Sequence, residues 1–159
     1  MIAIRAAEPA DAEVVHRLIC ALAEYERDSD AVANTPPVLR AQLADPRPPF
    51  ECLLAEEDGA VCGFALFFPT YSTWLGVPGI WIEDLFVLES HRRRGIGRAL
   101  LARVARLAVE RGCGRLEWSV LDWNGPALAF YRRLGAVAMD EWTVHRLTSD
   151  ALRALAARR

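Results

Sequence analysis

The stretch Ile80–Glu110 restricts the fold more than any other part of the chain. Ile80-Trp81-Ile82 and Leu85-Phe86-Val87 flank two adjacent acids, Glu83 and Asp84, and the whole of Ile80–Leu88 reads as a β-strand. A basic loop follows, His91-Arg92-Arg93-Arg94, and then Gly95-Ile96-Gly97-Arg98 opens a long segment. In that segment Leu100, Leu101, Val104, Leu107 and Ala108 recur at helical spacing as far as Glu110, with Gly112 and Gly114 ending it. At a strand–loop–helix junction the first helical N–H groups have no intrahelical partner. Glycine lets an anion approach them closely, and the helix dipole favours negative charge there. Arg92, Arg93, Arg94 and Arg98 add attraction. A bare Gly-x-Gly, or a basic run alone, reads as a solvated surface; the ordered combination reads as a cradle for a pyrophosphate. No Gly-Lys-Ser/Thr follows, which excludes a P-loop, and Leu100 stands where the dinucleotide fingerprint needs a small residue.

The rest of the chain supplies a sheet and helices around this junction. Ile2–Arg5 reads as a first strand, and Pro9-Ala10-Asp11-Ala12 opens a helix carrying Val14, Val15, Leu18, Ile19, Leu22 and Tyr25 on one face. Val38–Ala44 is a short helix between proline-bearing stretches. Phe50–Ala55 and Val61–Phe68 form a hairpin through Glu57-Asp58-Gly59. Pro69–Pro78 reads as a loop with Tyr71 and Trp74 exposed. Leu116–Leu121 is a strand, Gly125–Leu134 a helix closed by Gly135, and Val137–Leu147 a final strand before a helix from Ser149. Strands alternating with helices in this order predict one α/β domain over residues 1–159, a mixed sheet flanked by helices.

Composition narrows the function. The 159 residues carry a formal charge of −2, which provides no basic field for nucleic acid. No apolar run reaches the ~18 residues of a membrane span, and Met1–Pro9 lacks the apolar core of a signal peptide. All 19 basic residues are Arg, so Schiff-base and P-loop lysine chemistry is excluded. Cys20, Cys52, Cys62 and Cys113 lack ligand spacing; they predict reduced, mostly buried thiols in a cytoplasm and no metal site. His16, His91 and His145 are likewise scattered, and no Gly-x-Ser-x-Gly elbow is present.

Read from their own context, the polar residues leave alternatives open. Adjacent strand residues face opposite sides, so at least one of Glu83 and Asp84 is expected in a cleft or ion pair, unless both are ordinary edge acids. Tyr131 beside Phe130 packs as core by periodicity alone. Asn124 suits a helix N-cap, and Glu26 suits the polar end of its helix.

Arg92-x-x-Gly95-x-Gly97 resembles the Q/R-x-x-G-x-G/A motif of the GCN5-related N-acetyltransferase superfamily. Further segments are similar to its diamine (spermidine/spermine and thialysine) N-acetyltransferase family: Ala23–Glu26, Thr70–Trp74, Glu83–Val87, Leu121–Asn124, Phe130-Tyr131 with Gly135-Ala136, and Trp142. The resemblance implies that family's fold, a mixed, mostly antiparallel sheet flanked by helices, and direct acetyl transfer from acetyl-CoA to a primary amine of a small molecule. It assigns Glu83 to the amine, as base directly or through water, leaves Asp84 as a supporting acid, and places the Tyr131 hydroxyl at the CoA sulfur. For acetyl-CoA it implies the backbone at Leu85, Phe86 and Val87, the loop Arg92, Arg93, Arg94, Gly95, Ile96, Gly97 and Arg98, and the turn Asn124, Gly125, Pro126 and Ala127. For the amine it implies Tyr25, Glu26, Glu83, Glu117, Trp118, Ser119 and Asp140. It also implies a homodimer. Ser72 stands where the polyamine branch has an acid, so a shorter amine or lysine analogue is favoured over a long polyamine; Glu141 also replaces the family's glycine before Trp142. A protein or peptide amine, an aminoglycoside, or a non-catalytic acyl-CoA sensor are the alternatives.

Overall fold

Asp58 and Gly59 both adopt left-handed backbone, with φ of 53° and 84°. That pair of angles is what a two-residue hairpin turn with the right-handed twist of its strands requires, and it joins β2 (Glu51–Glu57) to β3 (Ala60–Ser72). The computed structural model describes residues 1–158 and divides into two units, the first ending at Ser119. In the first unit β1 (Ile2–Ala6), β2, β3, β4 (Val77–Val87) and β5 (Leu116–Trp118) form one sheet in sequence order. The first three pairings are antiparallel and β4–β5 is parallel, the mixed sheet expected.

Apolar spacing decides which helix covers which face. α1 (Ala12–Tyr25) buries Ala12, Val15 and Leu18, and α2 (Pro36–Ala44) buries Leu39. They close one core with Cys52, Leu54, Phe64, Leu66 and Phe86 from the sheet. α3 (Ile96–Glu110) buries Ile96, Leu100, Leu101, Val104 and Ala108 and packs on β3 and β4. It ends with Gly112 at φ 67°, where the Cys113 N–H bonds back to the Ala108 carbonyl at 2.9 Å. Arg5 ties the sheet edge to the start of α1, with both guanidinium nitrogens on Asp11 (2.6 and 2.8 Å) and Nε on Glu56 (2.7 Å). No helix among the described residues is long and apolar enough to cross a membrane.

The Pro69–Pro78 loop expectation is corrected: most of it is strand, and only residues 73–76 form the turn. The two prolines fit because neither is asked to donate a ladder hydrogen bond: Pro69 lies beyond the end of β2, and Pro78 takes part through its carbonyl, which accepts from the Gly114 N–H at 2.9 Å. β2 pairs with β3 no further than Phe67, and β5 meets β4 only from Ile80. Ile80 donates its N–H to Arg115, so its partner Pro69 turns its missing N–H away from β4. Leu116–Leu121 is likewise shorter than expected, with a ladder of three residues.

The second unit holds α4 (Gly125–Arg133) and α5 (Ser149–Ala156). Gly135, at φ 87°, closes α4, and the Ala136 N–H reaches the Tyr131 carbonyl at 3.1 Å. The strand expected at Val137–Leu147 does not form; that stretch is irregular, with Val137, Met139, Trp142 and Val144 exposed. An alternating apolar pattern makes a strand only where a neighbouring ladder accepts its hydrogen bonds, and none of the described residues pairs with it.

Strand spacing between β3 and β4 depends on Gly63. A Cβ there would lie 2.7 Å from the Phe86 carbonyl oxygen and 3.2 Å from the Val87 side chain. The obstacle is backbone, so it cannot rotate aside. Gly63→Ala should lower stability by about 1–3 kcal/mol, read by chemical denaturation. An unchanged midpoint would show that the two strands separate freely.

Candidate active site

The register of β3 against β4 slips by one residue at the two acids. Leu66 pairs with Asp84 and Phe67 pairs with Ile82, so Glu83 is the extra residue of a β-bulge. Phe68 pairs with Trp81, and residues 66 and 68 of one strand share a face, so Trp81 and Asp84 do too. The Trp81 indole N–H donates to Glu83 Oε2 at 3.0 Å, bringing Glu83 to that same face. The expectation that the two acids face opposite sides is therefore corrected: the bulge interrupts the alternation on which it rested.

This face is the one beneath α1 and α2. Cys52, Leu66 and Asp84 lie in one cross-strand row. Burial first, then the charges of Glu83 and Glu26, push the Asp84 carboxyl up to about 6. Burial also raises Glu26. The Cys52 thiol is pushed up to about 12 by burial, Asp84 and Asp11, which leaves it unreactive. Glu117 joins the face by pairing with Trp81, but Arg115 holds its carboxylate at 2.8 Å. Trp118 pairs with Ile82 on the opposite face, and Ser119 is exposed at the end of the unit.

Beyond the bulge, β4 runs on as an open edge. Its ladder with β5 ends at Ile82–Trp118. Leu88 donates its N–H to the Cys62 carbonyl of β3 at 2.9 Å, so by alternation Leu85 and Val87 turn their backbone groups away from β3. Phe86 faces β3 with its backbone and the α1 core with its ring. Of the three expected donor-pairing residues, Leu85 and Val87 present the edge and Phe86 does not.

The strand then enters the glycine turn. Gly95, at φ 85°, precedes α3, and its carbonyl accepts the first intrahelical bond from Ala99 at 2.9 Å. The N–H groups of Ile96, Gly97 and Arg98 have no helical partner at these positions, while the Ile96 side chain is buried and anchors the turn. No atom lies within 4 Å of a Cβ placed on Gly95, and at Gly97 only the Val87 side chain is near, at 3.8 Å. The space above the N–H groups is open to a phosphate that any larger side chain would obstruct, so the cradle fits the pyrophosphate of a CoA thioester.

The four arginines differ in what they face. Arg94 pairs with Glu57 at 2.8 Å. Arg92 donates Nε to the Val87 carbonyl at 3.0 Å, and its guanidinium lies 4.3 Å from the Tyr25 ring centroid and 5.5 Å from that of Phe86. Arg93 holds left-handed backbone at φ 62°. Neither it nor Arg98 forms an ion pair among the described residues. Tyr25, the last residue of α1, also packs on Phe86, with centroids 6.4 Å apart.

In the second unit Asn124 is buried and caps α4, its side-chain oxygen accepting from the Ala127 N–H at 3.3 Å. Gly125 and Pro126 form the first turn. Tyr131 stacks on Phe130 at 5.3 Å and 56°. Asp140 is exposed in the irregular stretch. Sequence reasoning missed the Trp81 hydrogen bond, for which the i, i+2 spacing of two same-face strand residues was the available signal. It also missed the contact between Arg92 and Tyr25, which no local pattern announces.

The acetyltransferase (GNAT) family pattern matches residues 16–136. The thialysine N-epsilon-acetyltransferase of Bos taurus is 37% identical over 166 residues, covering 98% of this chain and 97% of that protein. The L-ornithine N5-acetyltransferase NATA1 of Arabidopsis thaliana is 50% identical over 98 residues; that match takes in 62% of this chain and 43% of the plant protein's length. Among solved structures, an integron cassette protein from the mobile metagenome of V. cholerae superposes with a TM-score of 0.81 at 25% identity, covering 99% of this chain and 98% of that one. The chain belongs to the acetyltransferase (GNAT) family and is an N-acetyltransferase.

Proposed function

We propose that the protein transfers acetyl directly from acetyl-CoA to a primary amine of a small molecule that carries a second charged group, such as thialysine, ornithine or a short diamine. The observation that carries this reading is the bulge, which sets Glu83 and Asp84 on one sheet face immediately before an open strand edge and an anion cradle. The names of the thialysine and ornithine acetyltransferases similar to this chain support the acceptor class. One catalytic domain over residues 1–159 is the corresponding organisation, supported by a family match that spans residues 16–136 and so extends from the first unit into the second.

Acetyl-CoA supplies the activated acyl group and a thiolate leaving group. The N–H groups at the start of α3 hold its pyrophosphate, and the outward backbone of Leu85 with the Val87 N–H pairs with its arm as an added strand. The amine arrives as an ammonium of pKa ~10 and must lose a proton before it attacks. Glu83 accepts that proton, directly or through a water, with one carboxylate oxygen held by Trp81. Asp84 and Glu26 supply negative charge for the acceptor's other cation. The Tyr131 hydroxyl donates to the departing thiolate, and Asn124, Gly125, Pro126 and Ala127 form the turn that touches the donor. The four free thiols support a reducing, cytoplasmic setting. The exposed Val137, Met139, Trp142 and Val144 support a homodimer, which light scattering checks.

A thiol-release assay with acetyl-CoA and a panel of thialysine, ornithine, lysine, short diamines, spermidine, an aminoglycoside and a peptide tests the reading. Short diamino acceptors should turn over fastest. Glu83→Gln should lower kcat/KM for the amine by ~10²–10⁴-fold. Tyr131→Phe should lower kcat by ~10–100-fold with CoA affinity within about twofold. Preference for the peptide or the aminoglycoside would move the acceptor class, and saturable donor binding without any turnover would favour a sensor.

Asp84 also makes stability depend on pH. Its folded-state pKa of about 6 lies above the ordinary 3.8, so the folded protein holds the proton more tightly than the unfolded chain. Stability therefore falls as pH rises through that window and levels off above it. Asp84→Asn should stabilise the unliganded protein by roughly 1–3 kcal/mol at pH 8, with the gain vanishing below about pH 4. Denaturant titrations at several pH values check this, and a gain independent of pH would contradict it.

A further inference from the structure

The sequence assigns Arg92 to the anion cradle, yet its guanidinium is occupied elsewhere. Nε is bonded to the Val87 carbonyl, and the Tyr25 and Phe86 rings lie 4.3 and 5.5 Å from the guanidinium carbon. An Arg in this arrangement gains from cation–π attraction, from the planar stacking that lysine lacks, and from a charge-assisted hydrogen bond. What it joins is specific. Val87 is the last residue of the strand that carries Glu83 and Asp84, and Tyr25 is the last residue of α1. Glu26 follows Tyr25 as the helix cap, and Arg27 turns the chain away through left-handed backbone at φ 65°. Tyr25 is partly buried against the α1 core, Glu26 is exposed, and the helix has no basic residue of its own in its last turn. Arg92, over the Tyr25 ring and bonded to Val87, thus ties the turn that bears Glu26 to the end of β4.

We infer that Arg92 is a positioning residue for the acceptor side of the site rather than a phosphate ligand. Stacked on Tyr25 and tied to Val87, it fixes the last turn of α1 against the end of β4, so that the Tyr25–Glu26 wall stands at a set distance from the Glu83–Asp84 bulge. The inference rests on the acceptor-side reading of Tyr25 and Glu26 given above. It assigns to the donor loop only its backbone N–H groups and the arginines that are not engaged with protein.

Two substitutions separate the roles. Arg92→Lys keeps the charge a phosphate needs but loses the planar stack and the Nε bond. Arg92→Gln keeps an N–H donor for Val87 and loses the cation. With the purified full chain, CoA affinity is measured by calorimetry and amine kinetics with the best acceptor of the panel. Both variants should raise the acceptor KM by about 5–20-fold, with a smaller change in kcat and CoA affinity within about twofold. In a Tyr25→Leu background, Arg92→Lys should add less than about twofold, because its partner is already gone. A CoA affinity weakened tenfold or more with acceptor KM unmoved would make Arg92 a phosphate ligand and overturn the inference. So would variants that move neither constant. If one variant fails to fold, the other decides. A wild-type protein that turns over no amine fails at the first step and removes the acceptor reading itself, a result distinct from either of these.

Discussion

A strand can place two neighbouring side chains on one face only by breaking its own alternation, and β4 does so at Glu83. The cost is local, one residue without a cross-strand partner, and the effect is large. Below the bulge Ile80 and Ile82 point into the α3 layer; above it Asp84 and Phe86 point into the α1 layer. An unbroken strand would have kept Ile82, Asp84 and Phe86 on the same side and buried an acid under α3. The bulge keeps apolar residues on both inner faces and gathers the acids where they face one another. The upward shift of Asp84 records its burial first and that gathering second.

The open edge beyond the bulge is the second consequence of strand geometry. β5 runs parallel to β4 for three residues and then ends, which leaves the backbone of Leu85 and Val87 without a strand beside it. Immediately afterwards the chain turns through Gly95 into α3. A pairing edge and a set of helical N–H groups thus follow each other along one continuous stretch. A ligand with an amide-bearing arm and a pyrophosphate is matched by that order of backbone groups, largely without side-chain chemistry. In the proposed reading side chains enter at the acceptor end, through Glu83, Asp84, Glu26 and the Arg92–Tyr25 contact.

Local signals were legible wherever the physics is local. Asp58-Gly59 makes its hairpin because two left-handed residues suffice. Gly112 and Gly135 end their helices for the same kind of reason, and Asn124 caps α4 as its side chain allows. The apolar spacing of α1 and α3 marks their buried faces correctly. The misreadings share one cause, since each depends on what lies beside the segment. Pro69 and Pro78 look like loop residues until the end of β2, and the Gly114 N–H on the Pro78 carbonyl, show that neither has to donate a ladder hydrogen bond. Val137–Leu147 has the pattern of a strand and lacks a ladder. The bulge leaves no trace in composition; two acids in an apolar strand announce a site but not their facing. Tyr25 of α1, over which Arg92 lies, and Glu57 of β2, the partner of Arg94, come from far away in sequence.

The two prolines in the β3–β4 hairpin bear on solubility as well as on shape. A strand with an unpaired side invites another chain to add to it, which is how sheets grow into aggregates. The outer part of β3, beyond the end of β2, has such a side, and Pro69 interrupts it with a residue that cannot donate a hydrogen bond; on β4 the Gly114 N–H already occupies the Pro78 carbonyl. Trp74 at the tip is 88% exposed and Tyr71 is 64% exposed, so the hairpin presents aromatic surface while denying a neighbour a continuous ladder. Around β4, the stretch left able to accept an added strand is the one at Leu85 and Val87. Around β4, unlike at the outer edge of β1, an unpaired backbone is thus confined to one short stretch.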